Sequence, residues 1–379
     1  MTLIGDTRDV TDNGFMQIAL RMARRGLGTT APNPSVGAVV VDPSTGEVIA
    51  RGWTQPGGRP HAETVALQRA GPRARGATMY VTLEPCSHFG KTPPCARAII
   101  EAGVSRVVAG ILDPDPRVAG RGLDALRAAG IEVRRGVCAQ EADRITRGHI
   151  LRVTERRPLI QIKMALDGDG QIARGAGGQP RWVTGALARA HGHLLRARTD
   201  AILVGSRTVQ DDDPELTCRL PGLHGQSPIR VILCGRTLPA LESRIVLGAR
   251  DVPVWIFCEP DADREQQDGL ARAGCRLFHV ATVAGRPWIP AVTEALVAEG
   301  VTRVLVEGGP TVSRAFFSVG LVDDVVQYRA AGHDQDAATG RAAALRSVGG
   351  LAGHMTFALA HERALGDDRL YVFHRMRGN

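Results

Sequence analysis

Three side chains that can bind a transition metal, and one that can move protons, stand close together in the first third of the sequence. His61 and Glu63 form an H-x-E pair, and Cys86 and Cys95 follow downstream. Zinc in catalytic sites takes three nitrogen or sulfur ligands and keeps a fourth position for a water molecule, whose pKa it lowers. His61, Cys86 and Cys95 are therefore the candidate ligands. Glu63, two residues from a ligand, is suited to take a proton from that water and to give one to a leaving amine.

The loop between the two cysteines is unusually long. Zinc deaminases combine H-x-E with P-C-x-x-C, whereas eight residues separate the cysteines in Pro85-Cys-Ser-His-Phe-Gly-Lys-Thr-Pro-Pro-Cys95. This loop resembles the deaminase domain of the bifunctional deaminase/reductase family of riboflavin biosynthesis. Pro32-Asn-Pro-Ser-Val-Gly37 and Asp115-Pro-Arg-Val-Ala-Gly-Arg-Gly122 resemble two further blocks of that family. The resemblance covers most of residues 15–150 and implies a cytidine-deaminase-like, three-layer α/β/α domain.

Three polar residues near these motifs have both a functional and a structural interpretation. A fourth protein ligand would close a catalytic zinc site, so His88 is interpreted as a loop or substrate-contacting residue. The resemblance implies that Asn33 hydrogen-bonds the edge of a pyrimidine, but an Asx turn before Pro34 explains it nearly as well. Lys91 could contact the phosphate of a substrate or remain solvated.

A second group of candidate residues follows the polar, arginine-rich stretch 141–157. Lys163 begins the segment Lys163-Met-Ala-Leu-Asp-Gly-Asp-Gly170, whose glycines permit close approach of the backbone to a ligand. Glu307-Gly-Gly-Pro-Thr311 lies between a predicted buried strand and a helix N-terminus, where a phosphate is favoured. A tight structural turn explains that motif almost as well. No G-x-G-x-x-G stands between a strand and a helix, so a Rossmann fingerprint cannot be claimed.

The order of these blocks is similar to the reductase domain of the same family, which implies a dihydrofolate-reductase-like α/β domain and NADPH. Residues 195–219 carry the family's L-R-A, T-V, D-D-P and L-T-x-R elements. By position, the resemblance assigns contacts with a phosphoribosyl substrate to Arg196, Leu216, Arg219 and Glu307. It assigns contacts with NADPH to Leu166, Trp182, Thr208, Asp212, Gly309, Pro310 and Thr311. Lys163 is assigned a polar role near the ribose carbon to be reduced, or a phosphate contact.

The second half also departs from the family pattern. The family usually has S-L-D-G where this chain has Asp167-Gly-Asp-Gly170, serine where Pro180 stands, and D-S where Cys234-Gly235 stand. The family's C-terminal A-P-x-L-x-G block is matched only in part at residues 329–333. We expect these departures to leave the fold unchanged and to affect the affinity for the cofactor and the rate of the reductase.

Strand and helix patterns alternate along the chain, which predicts an α/β fold class with short connections. The predicted strands of the first part are 36–41, 47–53, 79–82, 106–110 and 131–133, with helices from 61, over 95–102 and over 123–129. The predicted strands of the second part are 159–162, 201–204, 230–233, 252–257, 304–306, 325–328 and 369–374, with helices over 185–198 and up to 319. We expect a boundary near residue 155, and hence a deaminase domain 1–154 and a reductase domain 155–379.

Composition narrows the possible partners. The chain has 379 residues, more than one ordinary core needs, and its 47 Lys+Arg against 39 Asp+Glu give a net charge of +8. A basic balance raises the question of nucleic acid, but the only lysines are Lys91 and Lys163 and the arginines are scattered. The family resemblance implies phosphoribosylaminopyrimidine substrates and NADPH instead, so we expect small-molecule partners, with no nucleic acid and no membrane.

Localisation and assembly are predicted from the same features. The sequence contains neither an apolar run of about 18 residues nor a signal-peptide pattern, which predicts a cytoplasmic protein. We also expect a homo-oligomer. The seven cysteines are odd in number and widely spaced, so no disulfide framework is predicted, and the five outside the candidate zinc site are interpreted as small buried apolar residues.

Two other functions are compatible with parts of this pattern. The second half could have lost catalysis and serve as an oligomerisation or binding module attached to a deaminase. A nucleic-acid deaminase of the tRNA adenosine type would use His61 and Glu63 equally well, but that class has C-x-x-C and gives no reason for a reductase-like half.

Overall fold

Two large β-sheets, one of five strands and one of nine, each organise one part of the chain. The computed structural model describes residues 7–89, 93–167, 184–330 and 337–376. The chain divides into two compact units, Met1–Arg157 and Pro158–Asn379. Each unit combines a sheet with packed helices, and the α/β fold class is confirmed.

Within its described residues, the first unit contains the five-stranded sheet and five α-helices. Its strands are β1 (Gly37–Val41), β2 (Val48–Trp53), β3 (Thr78–Leu83), β4 (Arg106–Ile111) and β5 (Glu132–Arg135). Its helices are α1 (Thr7–Gly26), α2 (Ala62–Ala70), α3 (Cys95–Glu101), α4 (Arg121–Ala128) and α5 (Ala139–Thr154). The strand order is β2-β1-β3-β4-β5; β1 is antiparallel to both of its neighbours, and β3, β4 and β5 are parallel.

Helices cover both faces of this sheet, so its central strands are apolar on both sides. Along β1, Ala38 and Val40 belong to the core shared with α2, α3 and α4. Val39 and Val41 belong to the core shared with α1 and α5. The close packing of α1 requires glycine at Gly37, where a Cβ atom would stand 1.9 Å from a backbone oxygen of that helix. The predicted three-layer α/β/α architecture is therefore confirmed for this unit.

In the part of the second unit that the structure describes, there are the nine-stranded sheet, seven α-helices and a small hairpin. The strands of the large sheet are β6 (Leu159–Leu166), β7 (Ala201–Gly205), β8 (Ile229–Leu233), β9 (Val254–Cys258), β10 (Arg276–His279), β13 (Arg303–Val306), β14 (Asp324–Arg329), β15 (Phe357–Leu365) and β16 (Asp368–Arg375). The hairpin is formed by β11 (Thr282–Val283) and β12 (Arg286–Pro287). The helices are α6 (Ala186–Ala197), α7 (Ser206–Asp212), α8 (Arg244–Leu247), α9 (Arg264–Ala273), α10 (Ile289–Ala298), α11 (Pro310–Ser318) and α12 (Ala337–Ala352).

The large sheet is parallel over most of its width. Its order is β10-β9-β8-β7-β13-β6-β14-β16-β15, and only β16 and β15 run antiparallel to their neighbours. Helices α10, α11 and α12 pack on one face, and α6, α7, α8 and α9 pack on the other. Since the carboxyl ends of parallel strands meet at one edge, the turns after β7 and β13 lie near each other, which is where such sheets bind ligands.

The structure adds two helices that the sequence patterns did not predict in the first unit. Helix α1 buries Met16, Ala19, Leu20 and Ala23, a stripe at helical spacing that is half alanine and therefore weak as a signal. Helix α5 covers the stretch interpreted as polar and arginine-rich, and it buries Ile145 on its inner side.

The cysteines outside the candidate zinc site are all free. Cys218, Cys234, Cys258 and Cys275 are buried, as expected, whereas Cys138 is only half-buried. Among the residues described, no helix is both long and apolar enough to cross a membrane.

Candidate active sites

In the first unit, the end of one strand and the start of one helix position His61 and Glu63. β2 ends at Trp53, and the connecting loop reaches His61, whose extended backbone (φ −70°, ψ 160°) directly precedes α2. Glu63 lies in the first turn of α2 and is 3% exposed. The segment between β2 and α2 therefore positions the side chains of His61 and Glu63 close together at the start of α2.

The two cysteines come from the segment that joins β3 to α3. Cys86 stands three residues beyond the end of β3, and Cys95 is the first residue of α3. The backbone N–H of Cys95 donates to Sγ of Cys86 at 3.3 Å, and that of Ala96 donates to the carbonyl of Cys86 at 3.2 Å. These bonds close the long loop so that both thiols face the same point.

His61, Cys86 and Cys95 form a compact cluster. Their donor atoms all lie within 4.8 Å of one another, with Nδ1 of His61 3.3 Å from Sγ of Cys95 and 3.7 Å from Sγ of Cys86. One imidazole nitrogen and two sulfurs are a donor set that zinc prefers, and three protein ligands are the number found in catalytic sites. The residues present therefore fit a catalytic zinc ion.

The pKa values of two groups at this cluster are shifted, one by a hydrogen bond and the other by burial. The hydrogen bond with Cys95 lowers the pKa of the Cys86 thiol to about 4, which makes it a thiolate at neutral pH. Burial raises the pKa of Glu63 to about 7. A thiolate is the form that binds metals, and a carboxyl group that titrates near neutrality can both accept and donate a proton.

The polar residues predicted around this site have different surroundings. The side-chain nitrogen of Asn33 donates to the carbonyl of Gly58 at 2.8 Å, so Asn33 fastens the loop that leads to His61. His88 is half-buried, and its Nδ1 is buried without a partner among the described residues. Lys91 lies outside the described residues.

In the second unit, three charged side chains meet at the carboxyl end of β13. Arg196, from the last turn of α6, makes a double hydrogen bond to Glu307, with both N···O distances 2.9 Å. Nζ of Lys163, on β6, lies 3.4 Å from the same carboxylate. Arg196 also donates to the carbonyl of Thr217 at 3.0 Å. Burial opposes ionisation of Glu307, but Arg196 and Lys163 hold its pKa far below the usual range.

A cleft of about 360 Å³ opens above this group. Nine of the predicted residues are among those that line it: Lys163, Arg196, Thr208, Asp212, Leu216, Arg219, Glu307, Gly309 and Pro310. The side chain of Leu166 instead packs in the core, and Thr311 lies exposed at the start of α11. Trp182 lies outside the described residues. The turn after β13 precedes a nine-residue helix with Pro310 at its start, so its free N–H groups suit an anion such as a dinucleotide phosphate.

The cleft also contains residues that the sequence did not single out. Arg189 and His193 line it from α6, and they stand seven and three residues before Arg196, on the same side of the helix. Arg244, from α8, lines the rim and pairs with Glu215, which also accepts from Arg219 at 3.2 Å. The helical spacing from Arg196 could have found the first two, but Arg244 is brought in only by the fold.

One departure from the family pattern has a structural explanation. At Gly235 a Cβ atom would stand 2.3 Å from the carbonyl oxygen of Gly285, in the β11–β12 hairpin. The hairpin packs directly on the turn after β8, and only glycine leaves room for it. Cys234 is buried in the core beside this turn. Gly168 and Pro180 lie outside the described residues, and Asp167 is half-buried at the end of β6.

The fold and the two sites define a protein in which a deaminase-type, metal-binding α/β/α domain precedes a second α/β domain with a charged ligand cleft. Residues 9–111 match the cytidine and deoxycytidylate deaminase zinc-binding region, and residues 158–332 match the RibD C-terminal domain. The chain is 39% identical over 328 residues to riboflavin biosynthesis protein RibD of Escherichia coli. The aligned region covers 84% of this chain and 87% of that protein.

Solved structures agree with this result. RibD of Acinetobacter baumannii superposes with a TM-score of 0.79 at 32% identity, covering 97% of this chain and 100% of that one. The diaminohydroxyphosphoribosylaminopyrimidine deaminase/5-amino-6-(5-phosphoribosylamino)uracil reductase of Thermotoga maritima gives 0.80 at 31% identity, with the same coverage. The chain belongs to the RibD family of riboflavin biosynthesis proteins. The predicted cytidine-deaminase-like and dihydrofolate-reductase-like domains are confirmed.

Proposed function

We propose that the chain catalyses two successive steps of riboflavin biosynthesis. The first is hydrolytic deamination of 2,5-diamino-6-(5-phosphoribosylamino)pyrimidin-4(3H)-one. The second is NADPH-dependent reduction of the ribosyl side chain to the ribityl side chain. The observation that carries the proposal is the cluster of His61, Cys86 and Cys95 with buried Glu63 beside it, in a chain of the RibD family.

The deamination is assigned to the first unit. His61, Cys86 and Cys95 would hold zinc, which when bound makes a water molecule nucleophilic near neutral pH. Water adds to the amino-bearing C2 of the pyrimidine, and ammonia leaves. Glu63 takes a proton from the water and delivers one to the departing amine, a role that its pKa near neutrality supports. Asn33, His88 and Lys91 are proposed to contact the substrate, Asn33 also through the loop that it fastens.

The reduction is assigned to the cleft of the second unit. NADPH, when bound, supplies a hydride to C1′ of the opened sugar. Thr208, Asp212 and the turn of Gly309 and Pro310 line the part of the cleft proposed for the cofactor. Leu166, Trp182 and Thr311 remain proposed cofactor contacts from the family resemblance.

Charge in the cleft supports a phosphorylated substrate. Among the described residues, five lysine or arginine side chains line it against three aspartate or glutamate side chains. Arg196 is fully engaged by Glu307 and by a backbone carbonyl, so it fixes the direction of that carboxylate. Lys163 is the more accessible cation of the group and is proposed to act near the reacting carbon. Arg219 and Leu216 complete the proposed substrate contacts, and Arg219 can bind phosphate with its planar fork.

We further propose that the protein is cytoplasmic, forms a homo-oligomer and has no nucleic-acid partner. NADPH and phosphorylated intermediates are intracellular metabolites, which supports the first proposal. Exposed apolar side chains such as Leu187 and Leu247 support the second. The proposal that there is no nucleic-acid partner is supported by the cleft, because its basic side chains are enclosed there together with carboxylates. Sedimentation tests the oligomer, and tRNA filter binding at physiological salt tests the last, since saturable submicromolar binding would contradict it.

Product analysis with the diaminopyrimidine substrate tests both steps together. Without NADPH, we expect release of ammonia and accumulation of the deaminated phosphoribosyl product. With NADPH, we expect the ribityl product and an equal loss of NADPH. Binding of NADPH without oxidation would instead favour a catalytically degenerate second unit, and absence of ammonia would contradict the deaminase.

A further inference from the structure

Glu84 is a buried carboxylate that the proposed chemistry does not use. It stands between the end of β3 and the Pro85-Cys86 segment, and it is 3% exposed. Among the described residues no lysine, arginine or histidine forms an ion pair with it. A buried charge without a cation is costly unless hydrogen bonds replace its hydration, so its partners identify what it does.

The partners of Glu84 are four backbone N–H groups from the neighbouring segment of the unit. Its Oε2 accepts from Asp113 at 3.2 Å and from Gly120 at 2.9 Å. Its Oε1 accepts from Gly122 at 2.9 Å and from Leu123 at 3.3 Å. These residues span the loop after β4 and the first turn of α4. One carboxylate therefore binds together the segments that follow two adjacent parallel strands.

A second contact fixes the same two segments against each other. A Cβ atom on Gly122 would stand 2.0 Å from the carbonyl oxygen of Pro85, so only glycine allows this approach. Gly122 therefore contacts this segment twice, because it approaches the carbonyl of Pro85 and its N–H also donates to Glu84. The next residue is Cys86, whose thiol must meet His61 and Cys95.

We propose that Glu84 is a positioning residue for the metal ligand Cys86, holding the loop at the end of β3 in the geometry that closes the ligand cluster. This inference rests on the zinc site of the proposed function. Replacing the carboxylate by an amide would turn an NH₂ group toward N–H donors, because an amide keeps one acceptor oxygen where Glu84 uses two. The loop would then lose half of its bonds while its length stayed the same.

The test is Glu84→Gln in the full chain, read by metal binding rather than by turnover. We expect zinc affinity, measured by competition with a chromogenic chelator, to fall by about 10- to 100-fold, the loss typical of residues that orient a ligand. In protein loaded with Co²⁺, the absorption bands of the thiolate-bound metal should shift or weaken. Urea unfolding of the first unit shows whether the variant is folded, and reduction of the deaminated substrate by the second unit measures the amount of intact protein.

A matched control is Asp12→Asn. Asp12 is equally buried, at 2% exposure, but it bonds to Tyr80, Arg106 and Arg134, which lie outside the ligand loop and the loop after β4. It should lower the stability of the same unit and leave zinc affinity and the Co²⁺ spectrum unchanged. If Asp12→Asn weakened zinc binding as much as Glu84→Gln, the effect would be one of general stability and the inference would be wrong.

Gly122→Ala changes the residue that packs against Pro85, and it is the alternative test if Glu84→Gln does not fold. Its methyl group should displace Pro85 and weaken zinc binding in the same direction. Native zinc affinity and an unchanged Co²⁺ spectrum in either folded variant would overturn the inference. Cys86→Ser keeps this outcome separate from a failure of the proposed function: if Cys86→Ser retained native zinc affinity, the metal site itself would be misassigned.

Discussion

At the scale of single residues, the first unit separates metal binding from proton transfer. The three donor atoms of His61, Cys86 and Cys95 form the cluster, while the carboxyl group of Glu63 is buried beside it. We expect Glu63→Gln to keep the metal and to lower the rate of ammonia release by about 10²- to 10⁴-fold, the contribution typical of a general acid–base group. Metal analysis and an ammonia assay on the same preparation measure both effects.

Cys86→Ser is the counterpart of that experiment, because it should lose the metal together with the activity. Oxidation of NADPH with the deaminated substrate should stay at the native rate in both variants. Loss of metal in Glu63→Gln, or full deaminase activity, would show that Glu63 does not have the assigned role.

In the second unit, the two cations beside Glu307 should have different effects. Arg196 makes the double hydrogen bond and is mostly buried, so Arg196→Gln leaves a buried carboxylate poorly paired and should destabilise this unit by about 3–5 kcal/mol. Lys163 lies farther from Glu307, at 3.4 Å, and is more exposed. Lys163→Met should therefore cost less than about 1 kcal/mol, yet slow the reduction.

Urea unfolding gives the two free energies, and NADPH oxidation gives the rates. If Lys163→Met reduced the substrate at the native rate, Lys163 would have no part in the reaction. If both variants had equal stability, the assignment of Arg196 as the main partner of Glu307 would be incorrect.

The sequence predicts those residues whose function depends on local spacing. His61 and Glu63 are two residues apart at a helix start, and the cysteines stand in a recognisable loop, so pattern alone finds them. Glu84 bonds to backbone groups 29 to 39 residues further along, and backbone donors leave no mark on residue type. Arg244 reaches Glu215 over a similar separation. Such contacts exist only once the sheet has formed.

At the scale of elements, a buried ion-pair network attaches α1 to the sheet. Asp12 accepts hydrogen bonds at 2.8 Å from Tyr80, Arg106 and Arg134, which belong to β3, β4 and β5. Burial alone would raise the pKa of Asp12, but Arg106 and Tyr80 lower it overall. The network explains why a helix with a weak apolar stripe is nevertheless firmly placed.

We expect Asp12→Asn to destabilise the first unit by about 2–3 kcal/mol at neutral pH, less than a fully buried pair would cost because both arginines are partly exposed. A carboxyl group with a lowered folded-state pKa stabilises above its unfolded pKa, and this contribution disappears as pH falls through the folded value. The difference between native chain and variant should therefore shrink in acid. Chemical denaturation at several pH values measures it, and a difference that grew in acid would contradict the network.

The β11–β12 hairpin determines what the turn after β8 can contain. The family usually has serine at the position of Gly235, but here a side chain would meet the backbone of Gly285. Gly235→Ser should therefore lower stability by about 1–3 kcal/mol without improving the KM for NADPH. Gly225→Ser is the matched control, because a Cβ atom there meets nothing within 4 Å. Thermal unfolding compares the two variants. Equal melting temperatures would show that the hairpin moves to accommodate the serine side chain at no cost in stability.

At the scale of the whole molecule, the two chemistries use separate parts of the chain. The metal cluster lies entirely in the first unit and the described residues of the charged cleft entirely in the second. Removal of zinc with a chelator should therefore abolish ammonia release and leave unchanged the oxidation of NADPH with the deaminated substrate, because none of the described residues that line the cleft belongs to the metal cluster. Added zinc should restore deamination. A parallel loss of the reductase on chelation would mean that the second unit depends on the metal for its own structure or chemistry, and that the two halves are not independent catalysts.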